Sequence, residues 1–394
     1  MRIAEFIVTP VAATDPPLRN SWGVHQPYCL RTIVQLRTDD GLEGVGETTG
    51  GAEMLAALNA TQANVLGVDP WELALLRGSI SEVRAFSAIE QACLDLIGKS
   101  TGRPVSDLLG GRCREHVEFS AYLFFKFDSP GGDEWGEVLT PEALVAEAQT
   151  FVSRYGFRAL KLKGGVLPPD DEIRTLRLLR AALPDSPLRI DPNAIWSVDT
   201  SIRLGREIGH LLEYFEDPTL GRDGMAAVQR ALSAVPLATN MCVTRWDEVR
   251  PGYDCGCVRV VLLDHHADWG GMAECVKLAK TCHALGWKTS MHSNNHLGVS
   301  MAAMVHLAAA IPNLDFACDT HYPWQQDDVI AGDRFAFRDG CLPVPTTPGL
   351  GVTIDSDKLG ALHENALRFA CDARDDTAEM RKYDPTWEAK RPRW

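Results

Sequence analysis

The chain has 394 residues, a hydrophobic fraction of 45%, a charged fraction of 23% and a net charge of −14. That length suits a large barrel plus a smaller domain, and no apolar run approaches the ~18 residues a membrane helix needs, so no membrane partner is expected. The acidic balance, with Lys and Arg not gathered in blocks, excludes nucleic acid as an expected partner. The start, MRIAEFIVTP, has no export-signal pattern, which makes the cytoplasm the expected location. RIAEFIVTPV and RTIVQLRTDDGLEGVGET then alternate like antiparallel strands, the second turning at Asp39-Asp40-Gly41. AEMLAALNATQANVLG and SAIEQACLDLIGKSTG carry helical spacing, the latter closed by a glycine. Strands followed by helices predict an α+β domain over residues 1–116.

From VEFSAYLFF onward the rhythm changes. β-rich runs recur at intervals of roughly 25–30 residues with helical patterns between them, the signature of parallel strands. They are FRALKLKGG, PLRIDPN, LEYFEDP, PLATNM, VRVVLLDHH, KTSMHSNN and FACDTHY. With the first run they supply eight strands, which fill a TIM-like barrel over residues 117–345. Eleven cysteines, with DCGC as the tightest pair and no C-x-x-C, indicate reduced thiols and no zinc cluster. Residues 346–394 end in ARDDTAEMRKYDPTWEAKRPRW, whose three aromatic residues predict that this polar segment docks on the body.

In a barrel the strand ends face one pocket. In chain order they present Tyr122, Lys161 and Lys163, Asp191 and Asn193, Glu216, Asn240, Asp264, His292, and Asp319 with His321. Each alone has a plain alternative as a helix cap, a solvated loop residue or a packed histidine. Their succession is the signal. Asp191, Glu216 and Asn240 offer three hard oxygen donors from neighbouring strands, a set that suits Mg²⁺. Alternation puts Lys161 and Lys163 on one face of their strand. Beside each other and a divalent cation, one of them is expected to have a depressed pKa and to act as a base. A Schiff-base lysine is the rival reading, but it has no need of three metal ligands. His292 forms a second acid/base group, with Asp264 as its orienting partner and Asp268 as the alternative.

KLKGGVL, IDPN, EDP, ATNM, HSNNH, DTHYPWQ, PGLGV and the terminal ARDD…W…KRP together resemble the glucarate dehydratase group of the enolase superfamily, over nearly the whole chain. The resemblance implies an α/β fold, a modified TIM barrel of the (β/α)7β kind. An N-terminal α+β capping domain is completed by the C-terminal segment. It implies a Mg²⁺-dependent hydro-lyase that removes the proton beside a carboxylate and expels the β-hydroxyl. The expected substrate is D-glucarate or L-idarate, and the expected product 5-dehydro-4-deoxy-D-glucarate. Lys163 corresponds to the abstracting base and Lys161 to its carboxylate-neutralising neighbour. His292 with Asp264 corresponds to the acid/base on the opposite face, and Asp191, Glu216 and Asn240 to the metal ligands.

His25 in WGVHQPY would sit on a loop that the cap lays over the pocket. Tyr122, Lys161, Asn193, Asn240, His292, Ser293, Asn294, His321 and Arg374 would hold substrate. The resemblance also implies a homo-oligomer. The chain departs from the family in a shorter stretch between Gly51 and Ser87 and in one extra residue before Trp269 in DHHADWGG. Three outcomes therefore stay open: the diacid named above, dehydration or epimerisation of another acid sugar such as galactarate, and a relic that binds diacids without turnover.

Overall fold

The structure, a computed structural model, describes residues 1–394. Three antiparallel strands open the chain: β1 (Ile3–Thr14), β2 (Tyr28–Thr38) and β3 (Glu43–Thr49), in the order β1-β2-β3. The turn between β2 and β3 falls at residues 39–42, where the Asp-Asp-Gly cluster predicts it. The helix Val83–Thr101 lies against this sheet and ends at Gly102, whose φ of 69° supplies the left-handed stop. Gly44 and Gly46 allow the close approach, because a Cβ at either would overlap a carbonyl oxygen of that helix. The single helix expected over residues 52–67 is instead two pieces, Ala52–Ala60 and Gln62–Val65, broken at Thr61, whose hydroxyl bonds back to the Leu58 carbonyl.

After β4 (His116–Glu118) come seven parallel strands: β5 (Ser120–Leu123), β6 (Ala159–Lys163), β7 (Leu188–Asp191), β8 (Leu212–Glu216), β9 (Leu237–Thr239), β10 (Val260–Leu263) and β11 (Lys288–Met291). They neighbour one another in chain order. The eighth run, FACDTHY, forms no full strand. It closes the ring through a single bridge from Phe119 to Cys318, with the Asp319 amide bonded to the Met291 carbonyl. β12 (Cys341–Pro343) pairs with β4 below. Outward residues such as Leu160, Leu162 and Ile190 join the large core between strands and helices. Tyr214, Ala238, Val260 and Leu262 form a small apolar plug inside the ring. No helix is long and apolar enough to cross a membrane.

The cap docks through buried carboxylates. Glu47 on β3 accepts from Arg31 Nε at 2.7 Å and from the Leu297 and Ser300 amides at 2.9 and 2.8 Å. These amides begin the helix Gly298–Ala310, whose orphan N–H groups favour a negative charge. Glu90 does the same for Met272 and Ala273, at the start of the helix Met272–Ala284. Those helices follow the loops that carry His292 and Asp264, so the cap braces the parts of the barrel that bear both residues.

Burial pushes the Glu90 carboxyl up to about 7, against the pull of its two amide donors. Between roughly pH 4.5 and 7 the folded chain then holds a proton that the unfolded chain has lost. This group therefore makes stability fall as pH rises through that window. Glu90→Gln cannot ionise, so its stability relative to wild type should rise from pH 5 to pH 8 in paired urea denaturation curves. A difference that does not change with pH would contradict this assignment.

The C-terminal segment docks as its aromatic residues predict. Tyr383 stacks on Phe127 with ring centroids 4.1 Å apart, and Trp387 Nε1 donates to the Trp22 carbonyl at 2.7 Å. The Arg393 amide bonds the Ile195 carbonyl at 2.8 Å, so the chain's end touches the loop that follows β7.

Candidate active site

Strand parity builds the site. On β6, Lys161 stands beside Tyr122 of β5, and Lys163 stands beside Asp191 of β7. All four side chains therefore share the inward face. Lys163 Nζ donates to Asp191 Oδ2 at 2.7 Å and to the Tyr122 hydroxyl at 3.0 Å. Lys161 Nζ lies 2.6 Å from both Glu216 Oε2 and Asp319 Oδ2, with no exposed side-chain surface. The Tyr122 ring lies 4.8 Å from Lys161 Nζ, a cation–π contact, while its hydroxyl meets Lys163.

The lysine expected to have a depressed pKa is not Lys161. Burial alone would lower it, but Asp319 and Glu216 outweigh burial and hold it well above its ordinary value. Lys161 is a fixed ammonium. Sequence reading placed Asp319 at a strand end without giving it a role. It is the residue that keeps Lys161 charged, and it also approaches the buried Arg189 at 3.5 Å.

Asp191 and Glu216 end β7 and β8, and Asn240 directly follows the adjacent β9. Burial raises the Asp191 carboxyl, but Lys163 and Lys161 overcome that and leave it below its usual range. Burial drives Glu216 well above its ordinary value, and Lys161 offsets this only in part. Glu216 Oε1 and Asn240 Oδ1 are buried without a hydrogen-bond partner. Two orphaned oxygens beside a carboxylate are the unmet demand that a hard cation satisfies, so the donor set fits Mg²⁺. Asp217 sets Asn240 in place. It accepts from the Asn240 amide at 2.8 Å and from Thr239 Oγ1 at 2.6 Å.

Across the ring, His292 Nδ1 meets Asp264 Oδ2 at 2.9 Å. Burial would raise the Asp264 carboxyl, but the bond to His292 and its charge pull it far below the usual range. Asp268 is not the partner, because it pairs with Arg84 at 3.2 Å near the surface. His265, His266 and His296 pack behind this pair, and burial lowers the pKa of each.

A cavity of about 480 Å³ joins these groups. Lys163, Tyr122, Asn193, Asn240 and His292 line it, as do Ser293, Asn294, His321, His25 and Arg374. Lys161, Asp191, Glu216 and Asp264 stand behind that wall, where Asp191 bonds Lys163 and Asp264 bonds His292. His25 comes from the loop between β1 and β2 and is only 3% exposed, with Nδ1 2.9 Å from Asp15 Oδ2. Arg374 holds Asp376 by two bonds of 2.6 Å. Burial and the neighbouring cations keep His321 well below its ordinary pKa. Asn20, Trp22, Phe124 and Met241 also line the cavity and were not read from the sequence, because loop residues carry no periodic pattern. Gly165, with φ of 74°, lets the loop after Lys163 run close to the one after Asp191. A Cβ there would come within 2.7 Å of the Pro192 carbonyl.

Residues 3–110 match the N-terminal domain model of mandelate racemase / muconate lactonizing enzyme, and residues 143–358 match the enolase C-terminal domain-like model. A probable glucarate dehydratase from Streptomyces coelicolor is 45% identical, covering 100% of this chain and 99% of that protein. An enolase from Mycobacterium smegmatis, crystallised in complex with tartrate, superposes with a TM-score of 0.97 at 50% identity, over 100% of this chain and 98% of that one. A Gibberella zeae enolase complexed with magnesium, formate and sulfate gives the same TM-score at 43% identity, over 100% and 97% of the two chains.

Proposed function

This chain belongs to the enolase superfamily, through both its N-terminal and its C-terminal domain, and from that premise we propose that it is a hydro-lyase of acid sugars. The substrate we assign is a hexarate, D-glucarate or L-idarate, converted to 5-dehydro-4-deoxy-D-glucarate. One observation carries the reading. An amine and an imidazole, each engaged by its own carboxylate, line one cavity with the Asn240 amide, and Asp191 and Glu216 stand behind its wall.

Mg²⁺ held by Asp191, Glu216 and Asn240 would bind the substrate carboxylate and offset the negative charge that builds on it. The chain's own groups do the rest. Lys163 takes the proton from the carbon beside that carboxylate, and the Tyr122 hydroxyl keeps its Nζ aimed at the cavity. Lys161, paired with Glu216 and Asp319 behind the cavity wall, adds positive charge next to the site and never needs to move a proton. His292 has Nδ1 committed to Asp264, which leaves Nε2 for the pocket. There it gives its proton to the departing β-hydroxyl, which leaves as water. The enol that remains ketonises to the 5-keto diacid. Asn193, Ser293, Asn294, His321, His25 and Arg374 supply donors and acceptors for the substrate's hydroxyls and far end.

The test is a panel of hexaric and aldonic acids incubated with the protein and Mg²⁺, with 2-keto acid formation as the readout. Turnover of a hexarate is the expected result. Because the bases stand on separate walls, exchange of the α-hydrogen without keto acid would instead assign epimerisation. Neither signal from any diacid would defeat both readings.

A further inference from the structure

We infer that Asn295, which does not line the cavity, is a positioning residue that sets the cavity's far wall and thereby the selection for a second carboxylate. The inference rests on the acid-sugar reading above. Asn295 is 2% exposed and follows Asn294, whose Oδ1 accepts the Asn295 amide at 3.1 Å. Its side-chain amide works in two directions. Nδ2 donates to Asp15 Oδ2 at 3.0 Å, and Oδ1 accepts from Arg374 Nη1 at 3.4 Å. The same Asp15 oxygen meets His25 Nδ1. Three segments distant in sequence thus hang on one amide: the loop bearing His25, the loop bearing His292 and the C-terminal segment bearing Arg374.

Arg374 is the one strong cation on the far wall, and it keeps 36% of its side chain exposed. Two of its nitrogens are taken by Asp376, which Asn20 Nδ2 holds in turn at 2.7 Å. Asp376 holds one edge of the guanidinium fork, and the arm toward Asn295 is its other side-chain contact, so the two together set where the remaining N–H groups point. The amide cannot be replaced by an acid of the same shape. Aspartate would bring a second carboxylate against Asp15, whose Oδ1 is already buried without a partner. Alanine would leave Asp15 Oδ2 with His25 alone and would free Arg374 to swing.

The chemistry at Lys163 and His292 needs only the near carboxylate, so the effect should depend on the substrate's far end. Steady-state kinetics of wild type, Asn295→Ala and Asn295→Asp on D-glucarate and on D-gluconate, which lacks the second carboxylate, test this. For Asn295→Ala the KM for D-glucarate should rise about tenfold or more with kcat within threefold, while D-gluconate kinetics stay within twofold. Asn295→Asp should be worse on D-glucarate. A parallel decline on both substrates, or a fall confined to kcat, would show a general structural role and overturn the inference; no change on either would do the same. If wild type turns over neither acid, the functional reading has failed and the clamp is judged on the crystal structure of Asn295→Ala. Arg374 and residues 15–25 displaced from their present contacts would support it, and unchanged positions would overturn it.

Discussion

Lys163→Ala should lower hexarate turnover about 10³-fold, the scale of a general base removed from an otherwise assembled site. Lys163 Nζ sits between Asp191 and the Tyr122 hydroxyl, and no other amine lines the cavity within reach of the same wall. Lys161 is committed to Glu216 and Asp319 and does not line the cavity, so it is not placed to substitute. His292→Asn should cost a similar factor by a different route, since an amide N–H is far too weak an acid to protonate the leaving hydroxyl. The two variants should also differ in stereochemistry. The substrate epimer whose α-hydrogen faces β6 should stop exchanging in Lys163→Ala, and its opposite in His292→Asn. Proton NMR of each epimer in deuterated buffer reads this directly. Normal rates in both variants would end the mechanism. Lys163→Met, which keeps most of the buried volume, separates a lost base from a damaged fold.

Glu216→Gln should be nearly as severe, with turnover down about 10³-fold and Mg²⁺ bound about 100-fold more weakly by calorimetry. The substitution keeps the shape and removes one full charge from the three-oxygen set. It also removes one of the two carboxylates that flank Lys161, leaving that ammonium to Asp319 alone. Asp217→Asn should give a milder version. Asp217 touches Asn240 only through the backbone amide and through Thr239, so it loosens one ligand without removing it. Unaltered Mg²⁺ affinity in Glu216→Gln would take this residue out of the metal set.

The barrel was legible because its strands are short apolar runs at a regular interval, and because period-two alternation fixes which side chains point inward. Lys161, Lys163, Asp191 and Glu216 follow from that rule alone, and His292, just past Met291, by extending it one residue. Asn240 and Asp264, one residue beyond their strands, follow by extending it. Other features were hidden for definite reasons. Asp319 lies 158 residues from Lys161, and nothing local in DTHY says which amine it will face. The direction of the Lys161 shift depends on that contact, so it could not be read before the fold. The last strand is only a bridge at Cys318, and the Tyr322–Trp324 helical turn follows shortly after it. Glu47 and Glu90 look in sequence like an edge residue and a helix-face charge, and only tertiary packing makes them caps for barrel helices.

The most direct measurement of the central claim is proton NMR of a hexarate incubated with the wild-type protein in deuterated buffer, with Mg²⁺ present and again after exhaustive chelation. With the metal present, the signal of the hydrogen beside one carboxylate should fade while a keto diacid accumulates. After chelation both changes should stop, and they should resume when Mg²⁺ is restored. Conversion that continues unchanged without metal, or a keto acid that appears without loss of that hydrogen, would contradict a reaction built on Asp191, Glu216 and Asn240 between Lys163 and His292.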